Sequence, residues 1–133
     1  MIGRNNPLNI RYSVLNKWKG QSGYIRGFCN FRHIRFGIRA AYKIFLAYRS
    51  RGIVTYEQII MAFAPYVENP TANYILYVCD KCRVDSWDKP SSTEDFATLI
   101  YYMWCFEQGS KNPPTLTIAQ IEEIISDFDF ITG

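Results

Sequence analysis

The sequence predicts a mainly α protein (α+β) of about five helices with a small β lobe at its N-terminal end. Three observations carry that reading. From residue 37 onward, apolar residues recur at helical spacing in five segments, each marked by capping or breaking residues. Residues 1–36 instead alternate short extended pieces with Asn, Gly and Pro. Finally, 48% hydrophobic and 17% aromatic content in 133 residues argues against disorder and supports a core without metal or disulfide staples. One domain is expected over 1–133, with a loop and β lobe at 1–36 and a helical part at 37–133.

Residues 10–14 and 27–31 are the extended pieces expected to form a hairpin or a three-stranded sheet. A first helix follows, with Ile38, Ala41, Ile44, Phe45 and Tyr48 on one face, running to about Arg51 before Gly52 stops it. Thr55 and Gln58 form a capping box for a second helix, which Pro65 closes. Asn69 is expected to cap a third, with Pro70 in its first turn and Tyr74, Ile75 and Val78 facing inward. The fourth covers residues 93–108, with box-like spacing in both Ser91/Glu94 and Ser92/Asp95, and Gly109 as its stop. After Pro113-Pro114, Thr117 and Gln120 cap a fifth bearing Ile118, Ile121, Ile124, Ile125 and Phe128.

The fourth helix poses the chemical question. Phe96, Leu99, Ile100 and Met103 form its buried stripe, and the next position on that stripe is Glu107. Partial burial and the negative end of the helix dipole both disfavour an ionised carboxylate there. Such a group is either a rim carboxylate paired with an arginine or a proton donor of the kind that glycosidic cleavage requires.

The net charge of +3 hides an asymmetry. Residues 1–51 hold eleven Lys and Arg and no Asp or Glu, whereas residues 117–133 hold four acids and no Lys or Arg. A basic half suits a polyanion such as nucleic acid, anionic lipid or an acidic wall polymer, or is simply a solvated face. In the same region Trp18, flanked by Lys17 and Lys19, is suited to stack on a sugar or a base. No secretory signal is expected from residues 1–30, and the longest uncharged apolar run, 96–106, is too short to span a bilayer. Cys79 and Cys82 have metal-ligand or redox spacing, but no second close pair accompanies them and His33 is the sole histidine, so ordinary partly buried thiols and no cofactor are expected.

The run Arg4-Asn5-Asn6-Pro7-Leu8-Asn9-Ile10-Arg11-Tyr12, with Trp18-Lys19-Gly20, Gly27-Phe28-Cys29-Asn30-Phe31 and Gly37-Ile38-Arg39-Ala40, resembles a family of small proteins of bacterial viruses and prophages, usually labelled virion structural proteins. Later matches are Thr55, Ile59-Ile60, Ala64-Pro65, Glu68-Asn69, Thr71, Tyr74 and Glu107-Gln108-Gly109, so the resemblance covers about residues 2–109. Gln108 departs from the usual Asn, and residues 31–36 replace a polar stretch. A more distant likeness is to flagellar-type β-N-acetylglucosaminidases of the lysozyme-like superfamily. It rests on Asn5-Asn6, Asn9-Ile10-Arg11, Trp18-Lys19-Gly20, the aromatic strand to Phe31 and Asn69-Pro70 to Tyr74. In those enzymes the helix with the catalytic Glu comes first; here it comes last, so the chain resembles a circular permutation of that fold.

This likeness implies a peptidoglycan-cleaving glycosidase or lytic transglycosylase. Glu107 would be its general acid, Tyr74 and the residue 5–11 loop would orient the substrate, and Glu68 would be the candidate second carboxylate. Members of the superfamily also work with one acid, when the substrate's N-acetyl or 6-hydroxyl group completes the chemistry. Asn5, Asn6, Asn9, Arg11, Tyr12, Trp18, Arg39 and Asn69 are the implied substrate-binding residues. The implied partners are peptidoglycan glycan strands and other virion proteins. The implied place is the phage particle or the host cytoplasm, with delivery to the cell envelope. Two other classes remain open: a non-catalytic virion or wall-binding protein, and a nucleic-acid-binding protein using the basic first third.

Overall fold

A computed structural model describes residues 1–65 and 70–128 and shows the mainly α architecture with its small β lobe. Two strands, β1 (Gln21–Ile25) and β2 (Phe28–Phe31), precede α1 (Ile34–Ser50), α2 (Tyr56–Phe63), α3 (Thr71–Cys82), α4 (Thr93–Gln108) and α5 (Ile118–Asp127).

The hairpin is antiparallel, with Ile25 opposite Phe28 and Tyr24 opposite Cys29. Its two-residue turn places both Arg26 (φ 51°) and Gly27 (φ 83°) in the left-handed region, which matches the twist of the flanking strands. The expected extended piece at residues 10–14 contributes a single bridge, Arg11 to Phe28, rather than a full third strand. The strand β1 was not expected; its pattern is broken by Gly23, where the register slips between Gln21 and Gly23.

The helix caps follow the sequence closely. Thr55/Gln58, Ser92/Asp95 and Thr117/Gln120 each form reciprocal capping boxes. Ser91 does not pair with Glu94; its backbone and hydroxyl both donate to the Asp95 carboxylate, which holds that carboxyl below its ordinary value. Two starts differ from expectation. Helix α1 begins at Ile34 rather than near Gly37, because the His33 ring nitrogen accepts from the Arg35 N–H at 3.1 Å and acts as the cap. Pro70 is the N-cap of α3 rather than a first-turn residue; the expected cap Asn69 lies outside the described residues.

The core is built around α4. Phe96, Leu99, Ile100, Met103 and Trp104 are all buried, and the helix packs against α5, α3 and α1. The rings of Tyr42 and Phe96 meet edge to face with centroids 5.4 Å apart, and Thr93 on α4 donates to Glu122 on α5 at 2.9 Å. The predicted stripe is therefore the central contact surface, and it carries Glu107 to the junction of the helices with the β lobe.

Candidate functional site: an acid at the meeting of two cavities

The loop at residues 4–11 is a shaped clasp. Asn6 is fully buried; its side-chain amide donates to the Ile10 and Cys29 carbonyls, both at 2.9 Å, and its carbonyl accepts from the Ile10 N–H at 2.8 Å. Asn5 donates to the Phe31 carbonyl at 3.0 Å. Both Asn5 (φ 55°) and Asn9 (φ 52°) are left-handed, a conformation that asparagine tolerates better than most side chains. Gly37 lets this loop rest on α1, since a methyl group there would strike the Asn5 carbonyl and the Pro7 ring.

The loop delivers Asn9 to the end of α4. Its amide donates to the Glu107 carboxylate at 2.9 Å. Gln108 closes the clasp from the other side, donating to the Pro7 carbonyl at 2.8 Å and to the Asn9 side-chain oxygen at 3.1 Å. With its oxygen fixed by Gln108, Asn9 must present its NH2 group to Glu107. The Gln noted as a departure is thus an orienting residue.

Behind the carboxyl stands Tyr74, buried and stacked on Phe106 at 4.1 Å. Its hydroxyl makes no hydrogen bond of strict geometry, yet it faces Glu107 closely enough for the two to shift each other, and burial together with that carboxyl pushes the phenol well above its ordinary value. The pair is in electrostatic contact. Burial dominates Glu107 as well and raises its pKa above the ordinary 4.5, against the lowering pull of Asn9, Tyr74 and Arg11 in that order.

Two concavities meet at this carboxyl, and Asn9 and Glu107 line both. The larger, about 580 Å³, has Trp18, Phe28 and Tyr48 among its walls, with Arg11, Arg51 and the end of α2. The smaller, about 480 Å³, lies toward Ile25 and Arg26 of the hairpin turn. Among the described residues Glu107 is the only Asp or Glu lining either one. The arrangement places a carboxyl of raised pKa in the lining of a cleft with aromatic walls, a combination suited to a polar ring with an apolar face.

Of the residues singled out in the sequence, Glu107, Asn9, Arg11 and Trp18 come together here, with Tyr74 immediately behind. Asn5 and Asn6 line neither cavity; the polar groups of Asn6 are spent on holding the loop. Tyr12 is stacked on Tyr24 at 3.9 Å, and Arg39 lies over the Phe128 ring at 5.4 Å; neither lines the cleft. Glu68 lies outside the described residues, as does Asn69. The wall supplied by Ile44, Ala47, Tyr48 and Arg51 was missed. In sequence those positions read only as the end of an amphipathic helix.

The cysteines are free thiols. Cys82 is pushed up to about 12, first by burial and then by Cys79 and Asp95, which makes it a poor nucleophile. Among the described residues no three His, Cys, Asp or Glu side chains are grouped to hold a metal ion. Nor is any described helix long and apolar enough to cross a membrane.

Comparison with known proteins adds a lineage. No family profile matches the chain. Protein P5 of Pseudoalteromonas phage PM2 is 34% identical over 119 residues, a match covering 86% of this chain and 73% of the phage protein. The chain belongs to the family of this phage protein. The expected relationship to a phage protein therefore stands, and it spans the greater part of both chains. The match brings no statement about peptidoglycan or catalysis.

Proposed function

We propose that the chain is a phage virion protein whose cleft engages the glycan strands of peptidoglycan, with Glu107 as proton donor to a glycosidic oxygen. The observation that carries this reading is the carboxyl of Glu107, its pKa raised by burial and its orientation fixed by Asn9, at the meeting point of two cavities. A polymer lying through both would set one of its linkages over the acid. The proton passes from Glu107 to the leaving oxygen as the C1–O bond breaks. The resulting carboxylate then recovers a proton either from an incoming water, giving a reducing end, or from the sugar's own 6-hydroxyl, giving an anhydro product. The lysozyme-like resemblance, in permuted order, supports the same reading. So does the spatial succession from the end of α4 to the residue 4–11 loop, which follows the order of elements in those enzymes.

A second reading, in which the same protein binds the wall or packs in the virion without cleaving, is favoured by a specific observation. The relative is a phage protein, and no second carboxylate lines the cleft among the described residues. Digestion of purified peptidoglycan with mass spectrometry of the released fragments separates the two. Cleavage by the wild type and none by a folded Glu107→Gln variant is the expected result. Wall binding by both proteins without release of fragments would leave the non-cleaving reading in place. Antibody detection of the protein in purified particles tests the virion assignment independently.

A further inference from the structure

Apart from Glu107, the charged side chains lining the two cavities among the described residues are arginines: Arg11 and Arg51 in the larger, Arg26 in the smaller. Those in the larger cavity are braced on its own aromatic walls. Arg11 lies over Phe28 at 5.0 Å and Arg51 over Tyr48 at 5.5 Å. Such stacking restricts a guanidinium before any ligand arrives, so less freedom is lost on binding. Arg26 is held differently, at the tip of the hairpin with φ 51°. Asn, Asp or Gly would adopt that backbone with less strain, so an arginine there is a costlier choice for the turn.

Arg11 already faces Glu107 and lowers its pKa, which leaves Arg51 in the larger cavity and Arg26 in the smaller as exposed planar cations. A planar fork of donors matches a carboxylate better than a hydroxyl. Resting on the glycan reading above, we infer that the cleft selects glycans carrying carboxylates on both sides of the bond over Glu107. Arg51 reads one in the larger cavity and Arg26 the other in the smaller. A neutral glycan of the same backbone gains the aromatic contacts and loses these two.

The test is calorimetric binding in the Glu107→Gln background, which leaves the ligand intact. The probes are a muropeptide tetrasaccharide, the same molecule with its carboxyls amidated, and a single-stranded DNA dodecamer. The free acid is expected to bind about twenty-five-fold more tightly than the amide, the product of two such contacts. Arg51→Gln and Arg26→Gln should each weaken the free acid by about fivefold, the scale of one exposed charge pair, and leave the amide unchanged. Arg51→Lys should recover part of the loss. Equal binding of acid and amide, or equal weakening of both by the arginine variants, overturns the inference while leaving glycan binding in place. Failure of both sugars to bind a folded protein removes the glycan reading itself. Tighter, steeply salt-dependent binding of the DNA, lost in the same variants, would assign the arginines to nucleic acid instead.

Discussion

Glu107 is a carboxyl in a place better suited to a neutral group. Because its pKa in the folded protein lies above the ordinary 4.5, the folded state binds its proton more tightly than the unfolded chain does. The stability linked to that proton is fully present below 4.5 and is lost as the pH rises through the raised value. Glu107→Gln, which keeps the shape and the acceptor for Asn9, should therefore melt at a higher temperature than the wild type at pH 8. The gap should close at pH 4, as read by circular dichroism at both values. Tyr74→Phe addresses the other side of the carboxyl. Since Tyr74 lowers the Glu107 pKa, removing its hydroxyl should move the carboxyl further up, as followed by carbon NMR titration. The phenol has no strict hydrogen bond to lose, so the stability cost should stay below about 1 kcal/mol. If cleavage is confirmed, the alkaline limb of the activity profile should shift upward with it.

At the level of elements, the capping boxes explain why so much of the helical part was legible. A Ser or Thr followed three residues later by a Gln or Asp states where a helix begins independently of what it packs on, and α2, α4 and α5 each begin that way. Ser92→Ala should cost about 1 kcal/mol in urea unfolding, the usual worth of such a cap. The start of α1 was misplaced because a histidine does the capping, a role the usual residue set does not announce. Strand β1 was missed for the opposite reason: Gly23 breaks its alternation, and the strand exists because β2 and the hairpin turn complete it. Gly37→Ala belongs to this scale too. The added methyl has no room against the Asn5 carbonyl, and the expected loss is about 3 kcal/mol. Denaturant titration should show that loss, together with a displaced Asn9 resonance.

Across the whole molecule, the stripe on α4 already pointed Glu107 inward, so the acid could be located from periodicity alone. What surrounds it could not. Asn9 and Glu107 are joined across 98 positions, and the cleft walls come from the end of α1 and the end of α2, segments whose own patterns say only that one face is apolar. Their convergence is a property of packing around α4. The opening motif could be read in the sequence, but which of its residues hold the loop and which reach Glu107 is seen only in three dimensions. Asn6 holds, whereas Asn9 orients. Asn6→Ala should accordingly remove three hydrogen bonds at a cost of about 3 kcal/mol. Helical content should persist while Glu107 titrates closer to its ordinary value, which paired circular dichroism and NMR measurements would register.

The clasp between the opening loop and the end of α4 also sets an order of events during synthesis. Ribosomes release a chain from its N-terminal end, and the residue 4–11 loop emerges long before the acid it serves. A nascent chain halted between residues 52 and 106 carries Asn9, Trp18 and all three arginines that line the cavities, but not Glu107. Gln108, which fixes Asn9 in its working orientation, arrives one residue after the acid. Products truncated before residue 107 therefore lack the carboxyl and the Gln108 side of the clasp, and the clasp closes only when α4 is available to fold against the opening loop.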